Sequence, residues 1–129
     1  MEYVKSFRDL EVYKLSRQLS RSIFDLSKEF PKGEMYSLTD QVRRSSRSIG
    51  GQIAEAWAKR KYQKHFISKL TDADGEQLET QHWIETAVDC GYVPAKVGHG
   101  LLLQYESVGK MLNSMMTKAS SFCNASKHA

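Results

Sequence analysis

The stretch LTDQVRRSSRSIGGQIAEAWAK, residues 38–59, decides the fold, because apolar and small side chains recur in it every three or four residues. That spacing places them on one stripe of an α-helix. The stripe consists of Leu38, Val42, Ser45, Ile49, Ile53 and Ala56. Two glycines inside a helix, Gly50 and Gly51, each cost about 1 kcal/mol relative to alanine. We therefore expect another helix to pack closely against this one and offset that cost.

A second helix is predicted upstream, over residues 9–29. Its apolar positions have the same spacing of three and four; they are Leu15, Leu19, Ile23, Leu26 and Phe30. Ser6 and Asp9 resemble a capping box at its start, and Pro31 stops it. A short connection then leads to Ser37, whose side chain can cap the helix over residues 38–59.

Downstream, the chain must break, since one helix from Leu38 to Cys90 would be about 80 Å long at 1.5 Å per residue. The basic segment 59–62 is the best place for the break. A third helix follows over residues 63–90, with Gly91 as its C-terminal signal, and a fourth over residues 94–119, after which the last ten residues are expected to fray. The pattern predicts an all-α, antiparallel up-and-down four-helix bundle, a single domain over residues 1–129.

Composition narrows the class of protein. The 129 residues carry a net charge of +4 and the pI is near 9.1, which permits contact with nucleic acid without requiring it. Cys90 and Cys123 give neither a disulfide framework nor metal-ligand spacing, so a reducing, cytoplasmic location is expected. The longest apolar run, residues 101–103, is far too short to span a bilayer, and we expect no membrane partner.

An ordered series of short motifs runs through the chain. It comprises SFRDLEVY at 6–13, EFPKGE at 29–34, LTDQVRRSSRSI at 38–49, QIAE at 52–55, LET at 78–80 and CGYV at 90–93. Together they resemble the bacterial four-helix bundle family named for the 23S rRNA intervening-sequence protein, to which the accessory proteins of diversity-generating retroelements are similar. The resemblance covers roughly residues 7–116.

The resemblance implies a four-helix protomer that assembles into a ring-shaped homopentamer with a basic surface. It also implies a role with nucleic acid, and it brings no catalytic residues. The chain departs from the commoner family pattern at residues 50–52, Gly-Gly-Gln, and at residues 56–58, Ala-Trp-Ala, where other members often have glycines. The second departure removes a helix stop, so the end of the second helix stays open.

Two clusters of basic residues are candidates for binding nucleic acid. One lies within the second helix and the other at the predicted break; they are Arg43, Arg44 and Arg47, and Lys59, Arg60, Lys61 and Lys64. Arginine suits phosphate because its planar fork donates two parallel hydrogen bonds. Antiparallel pairing, however, sets the first cluster level with carboxylates of the third helix. That geometry predicts structural ion pairs of Arg47 with Asp74 and of Arg44 with Glu79, and it leaves the cluster at residues 59–64 as the better phosphate-facing candidate.

Catalysis and metal binding are not expected. Glu79 and His82 form a Glu-x-x-His unit, but di-metal bundles need that unit on two helices, and no second copy occurs. Cys90 closes the third helix, where the helix dipole disfavours a thiolate. We expect no cofactor and a non-enzymatic, homo-oligomeric bundle that binds RNA or an RNA-handling protein. The alternative is an assembly or adaptor protein without affinity for nucleic acid.

Overall fold

The computed structural model describes residues 4–123, and four long helices account for most of them. They are α1 (Glu11–Ser27), α2 (Leu38–Ala58), α3 (Gln63–Asp89) and α4 (Ala95–Thr117), followed by a single turn, α5 (Ala119–Phe122). Two 3-10 turns, Phe7–Asp9 and Lys32–Glu34, precede α1 and α2. No strand occurs within residues 4–123.

The helices pack around one core in the order of the chain. Each long helix contacts its neighbours in sequence, and α1 returns to contact α4, which closes the bundle. The stripe predicted in α2 is buried along its whole length, and Ile49, Ile53 and Ala56 are completely inaccessible to solvent. The chain is therefore an all-α antiparallel four-helix bundle, as its periodicity predicts. None of the helices in the described part of the chain combines the length and the apolar character that a bilayer span requires.

The ends of α1 differ by two residues from the bounds expected for it. Ser6 caps the 3-10 turn Phe7–Asp9, accepting a hydrogen bond from the Arg8 amide at 3.2 Å, and α1 begins only at Glu11. At the other end α1 stops at Ser27, before the proline. Ser37 occupies the N-cap position of α2, but its side chain makes no capping bond. The Glu34 carboxylate instead accepts a hydrogen bond from the Leu38 amide at 3.4 Å.

The break between α2 and α3 falls within residues 59–62 and has a specific cause. The Arg60 guanidinium lies 3.6 Å from the centroid of the Trp57 ring, and its Nε donates to the Trp57 carbonyl at 2.8 Å. One side chain therefore satisfies an end carbonyl of α2 and covers the adjacent aromatic face. This contact ends α2 at Ala58, a boundary that the sequence left open.

The remaining ends follow local backbone signals. Gly91 has a φ of 79° and closes α3, and the amide of Tyr92 reaches back to the carbonyl of Ala87 at 2.9 Å, the pattern of a Schellman cap. Pro94 takes the N-cap position of α4. Of the ten C-terminal residues expected to fray, Ser120–Phe122 belong to α5, and residues 124–129 lie outside the described part of the chain.

Candidate nucleic-acid interface

An arginine-lined groove runs between α1 and α2. On α1, Tyr13, Arg17 and Phe24 recur at helical spacing and share one face with Arg21. On α2, residues 43, 47, 50 and 51 occupy the facing surface. The side chains that line the groove are Tyr13, Arg17, Ser20, Arg21, Phe24, Arg47, Gly50 and Gly51. A second depression, lined in part by Arg8 and Lys14, extends the basic surface toward the start of α1.

The ring of Phe24 organises the cations at one end of the groove. The guanidinium carbons of Arg43 and Arg47 lie 4.6 and 5.4 Å from its centroid, and the ammonium of Lys28 lies 4.8 Å from it. The Nε of Arg43 also donates to Ser27 Oγ at 2.7 Å. Attraction to the negative face of one ring holds these charges close together despite their mutual repulsion.

Most of these arginines have no carboxylate partner. Within residues 4–123, no acidic side chain lies within 4.0 Å of Arg8, Arg17, Arg21, Arg43 or Arg47. Arg17 donates to the Tyr13 hydroxyl at 3.2 Å, a neutral acceptor that leaves its charge uncompensated. We call these five residues the arginine face. Because no carboxylate within residues 4–123 neutralises the arginine face, its positive charge is available to an anion from solution.

Arg44, in contrast, belongs to the other side of α2. Its Nη2 lies 3.7 Å from Glu79 Oε2 on α3, an ion pair at a partly exposed rim. Glu79 also accepts a hydrogen bond from Trp83 Nε1 at 3.0 Å. Nearby, burial raises the pKa of Glu76, the carboxylate of Glu79 adds to that effect, and Arg44 opposes it. The charge of Arg44 is therefore committed to the α2–α3 contact.

The predicted ion pair between Arg47 and Asp74 is wrong. Asp74 accepts a hydrogen bond from Gln77 Nε2 at 2.9 Å, on the side of α3 that faces α4. Antiparallel pairing gives the height of a residue along the bundle but not its rotation about the helix axis. Arg44 and Arg47 are three positions apart and differ by about 60° around α2, and their long side chains reach different neighbours, Arg44 contacting Glu79 on α3 and Arg47 contacting Phe24 on α1.

The candidate cluster at residues 59–64 is divided by the structure. Arg60 is half-buried against Trp57; burial lowers the pKa of its guanidinium, and the nearby Cys123 thiol acts in the opposite direction. Lys59, Lys61 and Lys64 are exposed. Three lysines of the cluster can therefore contact a ligand, whereas Arg60 packs on Trp57 at the end of α2.

Both residues of the Glu-x-x-His unit contact neighbouring side chains. Glu79 is engaged by Arg44 and Trp83, and the His82 ring packs edge-on against Trp83 with centroids 4.7 Å apart. No group of three potential metal ligands occurs within residues 4–123.

Sequence reasoning missed Arg8, Arg17 and Arg21. The basic clusters predicted from the sequence are short runs, whereas these three side chains are spread over the 3-10 turn Phe7–Asp9 and α1 and form one basic surface with Arg47 only in the folded bundle. The signal that could have found Arg17 and Arg21 is the spacing of Tyr13, Arg17, Arg21 and Phe24, which at three or four residues marks a second stripe on α1 beside the apolar one.

Comparison with known proteins identifies a family and a similar solved structure. The family model described as 23S rRNA-intervening sequence protein matches residues 8–114. A crystal structure of a protein with unknown function from the S23 ribosomal protein family of Bacteroides thetaiotaomicron VPI-5482 is similar at a TM-score of 0.74 and 26% identity, covering 82% of this chain and 95% of that one. No curated protein matches the chain.

Proposed function

The chain belongs to the 23S rRNA-intervening sequence protein family, and from that premise we propose that it is a non-enzymatic protein that binds RNA through the arginine face. The observation that carries the proposal is the set of five arginines without carboxylate partners within residues 4–123, which lie on the 3-10 turn before α1, on α1 and on α2. Arginine side chains without carboxylate partners suit a polyanionic backbone, because each contact with a phosphate releases condensed counterions.

The distribution of charge over the bundle supports the same proposal. α3 carries two lysines against six carboxylates, Asp72, Asp74, Glu76, Glu79, Glu85 and Asp89. The two ion pairs within α1, Lys14–Glu11 and Lys28–Asp25, are exposed contacts of 3.6 Å that contribute little. α3 is therefore the acidic element of the bundle, and RNA phosphates would be attracted to α1 and α2, which carry six basic side chains against four carboxylates.

The test is filter binding of a structured RNA over a salt series, with the variant R17Q/R21Q/R47Q. Each arginine that contacts a phosphate contributes about 0.7–0.9 to the slope of log K against log salt, so the slope should fall by about 2. The matched control K96Q/K110Q/K118Q removes three exposed charges from α4 and its C-terminal end. It should leave the slope unchanged, and neither variant should alter the melting temperature.

The competing function is an adaptor without affinity for nucleic acid. Failure of the unmodified protein to bind RNA at about 50 mM salt would establish that alternative. Equal losses in the groove variant and its α4 control would also overturn the proposal, since binding would then depend on net charge and not on the arginine face.

We propose further that the chain forms a homo-oligomer, the pentamer that the family resemblance implies, and acts in the cytoplasm. Leu78 on α3 and Leu103 on α4 are 55% and 50% exposed, on the side of the bundle away from the arginine face. Covering them with a second copy would leave α1 and α2 open to RNA. Light scattering should give about five times the 14.7 kDa of one chain, and a monomer at tens of micromolar contradicts the assembly.

A further inference from the structure

Gly51 lines the groove and is exposed to solvent. Both Gly50 and Gly51 lie in the middle of α2, where glycine costs about 1 kcal/mol relative to alanine. Packing accounts for Gly50, since a Cβ there would lie 3.4 Å from Tyr13 and 3.6 Å from the Ser16 hydroxyl. At Gly51 an added Cβ would meet nothing within 4 Å. The close approach of α1 therefore does not explain the second glycine.

The open space above Gly51 is bordered by cations. Arg17, Arg21 and Arg47 line the same groove as Gly51, and none of them has a carboxylate partner within residues 4–123. The guanidinium of Arg47 is held near the ring of Phe24, which fixes one border of the space. Glycine is the residue that lets a ligand approach the backbone of a helix closely. Three guanidinium groups specify that such a ligand is an oxyanion with several acceptor atoms.

We propose that Gly51 leaves room for a phosphate group to enter the groove between Arg17, Arg21 and Arg47. This deepens the proposed function, on which its biological meaning rests: one phosphate of the RNA is seated inside the groove, while the others lie on the surface. A phosphate at this position, called the phosphate seat below, would lie in a groove lined by three arginines. A guanidinium group can bind a phosphate through two parallel hydrogen bonds, whereas the ammonium group of a lysine acts as a point charge. The seat accepts either an internal phosphodiester or a terminal phosphate.

The direct test uses inorganic phosphate and the Nε–Hε NMR signals of the arginine side chains. In the unmodified protein, phosphate should shift the signals of Arg17, Arg21 and Arg47, and sodium chloride at equal ionic strength should not. Gly51→Leu should abolish the shifts by filling the seat. The matched control is Gly75→Leu, because Gly75 is likewise helical and exposed and its added Cβ also meets nothing within 4 Å. Both variants should melt at or above the temperature of the unmodified protein, since leucine forms helix better than glycine.

Phosphate shifts that persist in Gly51→Leu, that are lost equally in Gly75→Leu, or that never occur would overturn the inference. Because this probe is not RNA, the inference stands or falls separately from the proposed function. If Gly51→Leu binds neither phosphate nor RNA tightly and Gly75→Leu binds both, the seat is established.

The source of the phosphate is distinguished with two single-stranded RNAs that differ only in a 5′-phosphate or a 5′-hydroxyl. A tenfold preference for the 5′-phosphate that disappears in Gly51→Leu assigns the seat to a terminal phosphate. Equal binding of the two RNAs, weakened several-fold by Gly51→Leu and not by Gly75→Leu, assigns it to an internal one. RNA binding that is indifferent to Gly51→Leu contradicts the seat and leaves the arginine face intact.

Discussion

Two tyrosines of the bundle differ in the hydrogen bonding of their hydroxyl groups. Tyr105 on α4 is fully buried, its hydroxyl has no hydrogen-bond partner within residues 4–123, and burial raises its pKa. Tyr92, after α3, donates from its hydroxyl to Glu34 Oε2 at 2.9 Å. That hydrogen bond, more than burial, raises the pKa of Tyr92. A buried polar group without a partner carries an uncompensated desolvation cost, whereas a partnered one stabilises the fold modestly.

The pair gives a prediction on stability. Tyr105→Phe should leave the free energy of unfolding unchanged or raise it by up to about 1 kcal/mol, because only an unsatisfied group is removed. Tyr92→Phe should lower the free energy of unfolding, because a hydrogen bond to a carboxylate is lost. Urea denaturation measures both. A larger loss for Tyr105→Phe than for Tyr92→Phe would mean that the buried hydroxyl has a partner, such as an internal water.

At the scale of the elements, the apolar periodicity of the sequence predicts where the helices lie along the chain. It does not predict which neighbour each side of a helix faces. The stripe of α2 and the closure of α3 at Gly91 follow from local sequence, and both are predictable. The position of the α2–α3 break is also predictable from length, but its cause is not, because nothing in a one-dimensional pattern stacks Arg60 on Trp57. The rotation of α2 decides that Arg44 faces α3 and Arg47 faces α1. Rotation depends on how whole helices pack, so the ion pair of Arg47 could not be judged from spacing alone.

The approach of α3 to α4 gives a prediction at this scale. A Cβ added at Gly98 would lie 2.5 Å from Cγ2 of Val88, whose β-branched side chain has little freedom to move. Gly98→Ala should therefore cost about 1–3 kcal/mol by overpacking. Gly100→Ala, two residues along the same helix with nothing within 4 Å, should instead gain up to about 1 kcal/mol. Thermal melts compare the two, and a stable Gly98→Ala protein would show that the helices are not in contact there.

At the scale of the whole molecule, the sequence predicts the bundle and its basic character but not the separation of its charges. Arg8 before α1 and Arg17 and Arg21 on α1 come together with Arg43 and Arg47 on α2 only when the two helices pack. The carboxylates lie mainly on α3, where Glu79 pairs with Arg44. The net charge gives no information about where the charges lie on the surface. The arginine face can therefore be recognised only from the folded structure. The cluster at residues 59–64 is conspicuous in the sequence because its members are contiguous.

The measurement that tests the central claim most directly compares these two surfaces in one RNA-binding salt series. The variant R17Q/R21Q/R47Q and the variant K59Q/K61Q/K64Q each remove three exposed positive charges and keep Arg60 on Trp57. We predict that the first lowers the salt slope by about 2 and that the second lowers it by less than about 0.5. The reverse result, a flattened slope in the lysine variant and an unchanged one in the arginine variant, would contradict the account.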